Sequence, residues 1–240
     1  MLPRPRGLLF DYGGTLVEEV SFDARTGNAA LLSHATPPPR ASLEEVVERA
    51  DRISREVSGR RDVSLIETPW VALTRLIHDF FGTRFTLPPN ELEIVFWDAS
   101  VKTRPMPGVR DALMEFRRAG IPMGVVSNSS FAGHVLRHDL AKHDLASFLD
   151  VVVASAEYVI RKPDPLLFET AAALLGVPHS DIWFVGDRVD TDVIGARTAG
   201  MTTVLLARDA RESPPGVDVL AADWAAVAVA VREAIGPRAG

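Results

Sequence analysis

The sequence predicts an α/β fold: a parallel sheet between helical layers, interrupted near its start by an all-helical insert. Three observations carry this reading. First, Leu8-Leu9-Phe10-Asp11-Tyr12-Gly13-Gly14-Thr15 is an apolar run ending on a carboxylate and two glycines. A buried parallel strand that delivers one acid to the carboxyl edge of a sheet has this pattern. Second, from about residue 103 onward short apolar runs alternate with helical patterns, the rhythm of βα units. Third, residues 17–99 show only helical periodicity and no convincing apolar strand. The core is therefore assigned to residues 1–16 and 103–240, and the helical cap to 17–102.

The elements follow in order. Residues 7–12 read as the first strand, and Ala29-Ala30-Leu31-Leu32 as part of a short helix ended by Pro37-Pro38-Pro39. Ser42 with Glu45 three residues later forms a capping box, and a helix runs to about Ser58 with Leu43, Val46, Val47, Ala50, Ile53 and Val57 on one face. Pro69 opens a third helix that Gly82 stops, and Pro88 or Pro89 opens a fourth. Lys102–Gly108, stiffened by Pro105 and Pro107, reads as the return linker. Helices are expected at 109–119, 132–142, 165–175, 190–199 and 224–235; strands are expected at 122–127, 150–154, 182–186, 202–206 and 217–220. A helical lid beside a catalytic strand end excludes water, with hinges expected near Val17–Ser21 and Ala99–Pro105.

Whole-chain properties narrow the function classes. With 240 residues and 47% hydrophobic content the chain can bury a sizeable core. A net charge of −6 argues against nucleic acid or an anionic membrane surface as partner. No cysteine is present, which excludes a disulfide framework and a thiol nucleophile. The apolar runs are too short for a membrane-spanning helix, and the N-terminal segment has no apolar h-region, so a cytoplasmic location is expected. Oligomeric state is not legible.

The chemistry sits at four strand ends. Asp11 closes the first strand in a glycine-rich turn, and Asp187 closes another in Val185-Gly186-Asp187, with Asp190 and Asp192 beyond. Acids on neighbouring strand ends repel unless a cation or proton joins them, and oxygen ligands with open positions suit Mg²⁺. Ser127 and Asn128 offer a hydroxyl and turn amides to an anion, and Lys162, held by Pro163, supplies a point charge. Together these groups fit a phosphoryl group, which a neighbouring carboxylate can attack.

Four segments carry a resemblance to the haloacid dehalogenase superfamily: Asp11-Tyr12-Gly13-Gly14-Thr15, Val125-Val126-Ser127-Asn128, Arg161-Lys162-Pro163-Asp164-Pro165, and Gly186-Asp187-Arg188-Val189-Asp190-Thr191-Asp192. Each is weak alone; four in order across the core are specific. The resemblance implies a three-layer Rossmann-like core with a C1-type helical cap. It implies Asp11 as nucleophile, with Ser127 and Lys162 on the phosphoryl group and Gly14, Thr15 and Asn128 completing its cradle. It also implies Mg²⁺ on the Asp11 and Asp187 carboxylates and the Gly13 carbonyl, supported by Asp192. The implied activity is a phosphatase acting on a small phosphorylated metabolite through an aspartyl-phosphate.

One position departs from the family pattern. Its phosphatases carry a second Asp two residues after the nucleophile as general acid and base, and here Gly13 stands there. Two alternatives stay open on that account: a catalytically silent phosphoryl-ligand-binding protein, and a metal-independent 2-haloacid dehalogenase. A phosphonate-cleaving role would need a cap lysine, and residues 17–101 contain none. Glu18, Glu19 and Asp23 are close enough in sequence to stand in for the missing acid. Other residues have structural readings. Asp190 reads as a helix cap, and His134, His138 and His143 as a solvated helix face. Trp70, Phe80 and Phe81 read as cap core, and Arg25, Arg49, Arg52 and Arg55 as solvated.

Overall fold

The computed structural model describes residues 2–209 and 212–236. Six parallel strands form the main sheet: β1 (Gly7–Phe10), β4 (Met123–Ser127), β5 (Val151–Ala154), β6 (Ile182–Gly186), β7 (Thr202–Leu206) and β8 (Val219–Ala221). Their spatial order is β5-β4-β1-β6-β7-β8. The first strand is thus central, and the chain's progression across the sheet reverses between β1 and β6. Helices α5 (Val109–Arg118), α6 (Gly133–Lys142) and α10 (Trp224–Ile235) cover one face; α8 (Pro165–Leu175) and α9 (Ile194–Thr198) cover the other. Strand alternation explains the two layers: Leu8 and Phe10 join the core on one side and Leu9 the core on the other, all fully buried.

The insert contains four helices, α1 (Ala24–Leu32), α2 (Leu43–Ser64), α3 (Trp70–Phe80) and α4 (Pro89–Ser100). The Ser42/Glu45 capping box forms, and Pro89 takes the first turn of α4. Two elements are longer than their sequence signals suggest. Asp23 caps α1 and starts it upstream of the alanine run, and α2 continues beyond Ser58.

The segments expected as hinges carry a strand each, the second after the last residues of α4. β2 (Val17–Phe22) and β3 (Val101–Pro105) pair as an antiparallel ribbon between core and insert. The Val-Glu-Glu-Val-Ser-Phe segment has no apolar alternation because only Val17 is buried, so its strand character comes from pairing with β3. The sequence-derived boundaries at 16/17 and 102/103 fall at the start of one ribbon strand and inside the other. The expected helix at 190–199 is a π-helical turn, Val189–Val193, running into α9. Asp190 is not its cap: its carboxylate is gripped by the Arg188 guanidinium at 2.7 and 3.1 Å. Phe80 is not cap core; it is exposed, with the Arg49 guanidinium over its ring.

The insert also meets the core away from the ribbon. Phe131, from the loop after β4, lies among Trp70, Phe96 and Trp97, with ring centroids 4.8–6.0 Å apart. The segment between α2 and α3 runs alongside residues 159–161. Glu67 N–H donates to the Val159 carbonyl at 2.8 Å, and Arg161 N–H to the Leu65 carbonyl at 3.0 Å.

Candidate active site

Asp11 and Asp187 follow immediately after β1 and β6, the neighbouring strands at which the sheet order reverses. Crevices of this kind are where open α/β sheets bind ligands, because the flanking loops diverge there. One carboxylate oxygen from each of Asp11, Asp187 and Asp192 lies within 4.8 Å of the others. Lys162 Nζ donates to Asp11 Oδ1 at 2.5 Å, to Asp192 Oδ1 at 2.7 Å and to the Val126 carbonyl at 2.9 Å. Asp11, Lys162 and Asp192 are buried, and Asp187 is half-buried.

Two glycines make room for this packing. A Cβ on Gly14, whose φ is +78°, would stand 2.3 Å from Asp187 Oδ2; one on Gly186 would stand 2.4 Å from Asp192 Oδ2. Asn128 clamps the lysine's own peptide, accepting from the Lys162 N–H at 2.7 Å and donating to its carbonyl at 3.0 Å. Lys162 itself precedes a cis proline.

The electrostatics follow from crowding like charges out of water. Burial holds the Asp11 carboxyl above the usual carboxylate range, at about 6; Lys162 opposes this, and the Asp192 and Asp187 carboxylates reinforce it. Asp187 is raised as well, by burial and then by Asp192. Burial alone would favour a neutral Lys162 amine, but Asp11 and Asp192 outweigh it and lift its pKa. Three carboxylates against one ammonium leave the cluster with an excess of negative charge.

The cluster opens into a cavity of about 1000 Å³. Its wall includes Asp11, Gly13, Ser127, Asn128, Phe131, Lys162 and Asp192 from the core, Phe22 from the ribbon and Trp97 from the insert. Gly14 and Thr15, expected to hold substrate, do not line it. Gly14 lies against the Asp187 carboxylate, while Thr15 is fully buried and its carbonyl accepts from the Trp224 indole N–H at 2.9 Å.

A family model for haloacid dehalogenase-like hydrolases matches residues 5–200. The chain belongs to that family. It is 36% identical over 105 residues to a glyceraldehyde 3-phosphate phosphatase of Methanopyrus kandleri, a match covering 44% of each chain. It is 29% identical over 211 residues to the enzyme of that name from Methanothermobacter thermautotrophicus, covering 87% of this chain and 88% of the relative. A solved haloacid dehalogenase-superfamily phosphatase from Thermococcus onnurineus shares the fold, with a TM-score of 0.60, 22% identity and coverage of 94% and 97%. The matches to the first curated relatives span about half of those proteins' length.

For this dehalogenase-like hydrolase, the donor set fits a divalent cation. The donors are all oxygen, the cluster is negatively charged, and Asp187 Oδ1 is buried with no hydrogen-bond partner among the described residues.

Asp139 and Glu67 are among the buried carboxylates that escaped the sequence reading. Asp139 on α6 accepts from Tyr12 Oη at 2.6 Å, Trp97 Nε1 at 3.1 Å and Thr103 Oγ1 at 2.8 Å. It thus joins the nucleophile turn, the insert and the ribbon. Burial, and then this carboxylate, push the Tyr12 phenol far above its usual pKa. Glu67, in the insert, accepts from Ser155 Oγ at 2.7 Å, from the Thr68 N–H at 3.0 Å and from the Arg161 guanidinium. Neither acid has a motif to announce it. The three histidines expected on a solvated face serve instead as contacts: His138 meets Asp98 of α4 at 3.0 Å, His143 meets Thr103 at 2.8 Å, and His134 meets the Asn90 carbonyl at 3.1 Å.

Proposed function

We propose that this protein is a Mg²⁺-dependent phosphatase acting on a small phosphorylated metabolite through an aspartyl-phosphate on Asp11. The observation that carries this is Lys162 Nζ bridging Asp11 and Asp192, with Asp187 completing a cluster of oxygen donors at the strand-order reversal. Asp11, Asp187 and the Gly13 carbonyl would hold the cation, with Asp192 in support. When bound, it supplies positive charge for the phosphoryl oxygens.

The chain's own residues do the rest. Lys162 stays protonated and neutralises phosphoryl charge while fixing the Asp11 carboxylate. Ser127, at the end of β4, presents its hydroxyl from the cavity wall, and Asn128 locks the lysine loop. An Asp11 oxygen attacks phosphorus as the bond to the leaving oxygen breaks. Water then attacks the phosphorus of the aspartyl-phosphate, releasing inorganic phosphate and restoring Asp11. Trp97 of the insert and Phe131 of the core loop after β4 close over the cavity, limiting bulk water. The relatives named as phosphatases support the reaction class. The acid cluster disfavours a metal-independent dehalogenase, which has no use for it.

The test is phosphate release across a panel of phosphorylated metabolites, with Mg²⁺ and with EDTA. Wild type should turn over at least one in Mg²⁺ alone. Asp11→Asn, which keeps the shape but removes the attacking charge, should lose all turnover and all labelling by ³²P-substrate. Metal-independent halide release from a 2-haloacid would overturn the proposal.

A further inference from the structure

An alkyl phosphate leaves as a strongly basic alkoxide unless a proton reaches the departing oxygen, so a phosphatase for such substrates needs an acid in its cavity. Four acidic residues line this one: Asp11, Glu19, Asp190 and Asp192. Asp11 and Asp192 are committed to Lys162, and Asp190 is gripped by Arg188 through both its oxygens. Of these four, only the Glu19 side chain makes no hydrogen bond or ion pair among the described residues.

Its position is built by the ribbon. Glu19 pairs with Thr103 across β2 and β3, and both line the cavity together with Val17 and Val101. Thr103 is itself held by Asp139, the carboxylate that also binds Tyr12 next to the nucleophile. Glu18 faces the other way and pairs with Arg104 at 2.6 Å, and Asp23 is spent capping α1. A register shift between Glu19 and Ser21 restores the inward phase at Phe22, which lines the same cavity. The inner face of the ribbon thus carries one carboxylate, itself exposed, between Val17 and Phe22 along β2 and opposite Thr103 of β3.

We infer that Glu19 is the catalytic acid and base of this site, in place of a side chain at position 13. The inference rests on the phosphatase reading above. In the first step Asp11 forms a bond to phosphorus, the electron pair of the breaking bond goes to the leaving oxygen, and that oxygen takes the Glu19 proton. In the second, Glu19 as carboxylate takes a proton from water while the water oxygen attacks the aspartyl-phosphate. Inorganic phosphate leaves, Asp11 is restored and Glu19 ends protonated, ready for another cycle. Position 13 can itself host a side chain: a Cβ there meets nothing within 4 Å, so Gly13 is not imposed by packing.

The experiment measures kcat/KM in Mg²⁺ for wild type, Glu19→Gln and the outer-face control Glu18→Gln. The substrates are phosphate monoesters ranging from p-nitrophenyl phosphate to simple alkyl phosphates. Glu19→Gln should lose about 10²- to 10⁴-fold on alkyl phosphates and far less on p-nitrophenyl phosphate. Glu18→Gln should match wild type. Adding Gly13→Asp to Glu19→Gln should restore the alkyl rates. Equal dependence on leaving group in wild type and Glu19→Gln would overturn the inference while leaving the phosphatase reading intact. No phosphate release from any monoester by wild type would overturn both.

Discussion

Glu67→Ala tests how the insert is joined to the loop that carries Lys162. The Glu67 side chain is wholly buried and that of Arg161 is 15% exposed, so their ion pair is shielded from water. Truncating Glu67 removes this pair and takes the buried acceptor from Ser155 Oγ and the Thr68 N–H, at a cost of about 3–5 kcal/mol. For a chain of this size that corresponds to a fall in Tm of roughly 6–20 °C. Glu67→Gln keeps an acceptor for Ser155 and gives up only the charge, so it should cost about 1–3 kcal/mol. The damage should be local before it is global. Amide exchange should quicken at Glu67, Trp70 and Arg161, whose N–H groups cross between insert and core to Val159, Ser130 and Leu65 at 2.8–3.0 Å. Thermal melts and hydrogen exchange by mass spectrometry on both variants provide the readout. For Glu67→Ala, a Tm within ~3 °C of wild type (under about 1.5 kcal/mol on the same scale), with unchanged exchange at those three amides, would refute the reasoning.

Two further predictions concern the metal and acid stability. Asp187→Ala should abolish Mg²⁺ binding in calorimetry, because it removes a donor whose Oδ1 has no other partner among the described residues; unchanged affinity would remove Asp187 from the site. His78 in α3 is buried edge-on to Phe85, and burial pushes its imidazole down to about 4, opposed by the Asp79 carboxylate. The unfolded chain, near 6.5, therefore binds the proton first. Stability is fully present above pH ~6.5 and should fall by about 3 kcal/mol as pH drops toward 4. Urea melts of His78→Phe across that range should show a correspondingly smaller loss, and parallel curves would contradict the assignment.

Much of the core was written in local pattern. Asp11, Ser127 and Asp187 each stand at the end of an apolar run, and that suffices because a buried parallel strand has one exposed carboxyl end. Lys162 was legible beside Pro163, and the insert's helices through Ser42, Glu45 and Pro89. What escaped had no local signature. β2 alternates nothing, since five of its six residues are exposed, and pairing with β3 across about eighty residues of insert makes it a strand. Glu67 reads as one polar residue before a helix, and its partners Ser155 and Arg161 lie 88 and 94 residues away. Asp139 sits in a helix of ordinary composition and is buried only because Tyr12, Trp97 and Thr103 converge on it.

The sequence by itself determined which chemistry is available: three acids, a lysine and a hydroxyl at strand ends, and no side chain at position 13. Strand periodicity and turn glycines act over a few residues, so they can be read there. Only the tertiary structure decided which of Glu18, Glu19 and Asp23 reaches the cavity, that Thr15 does not, and how the insert is fastened. Those outcomes depend on strand register and on contacts between segments far apart in the chain. One residue of register reverses the face a side chain takes, and no local pattern in Glu18-Glu19 distinguishes the two.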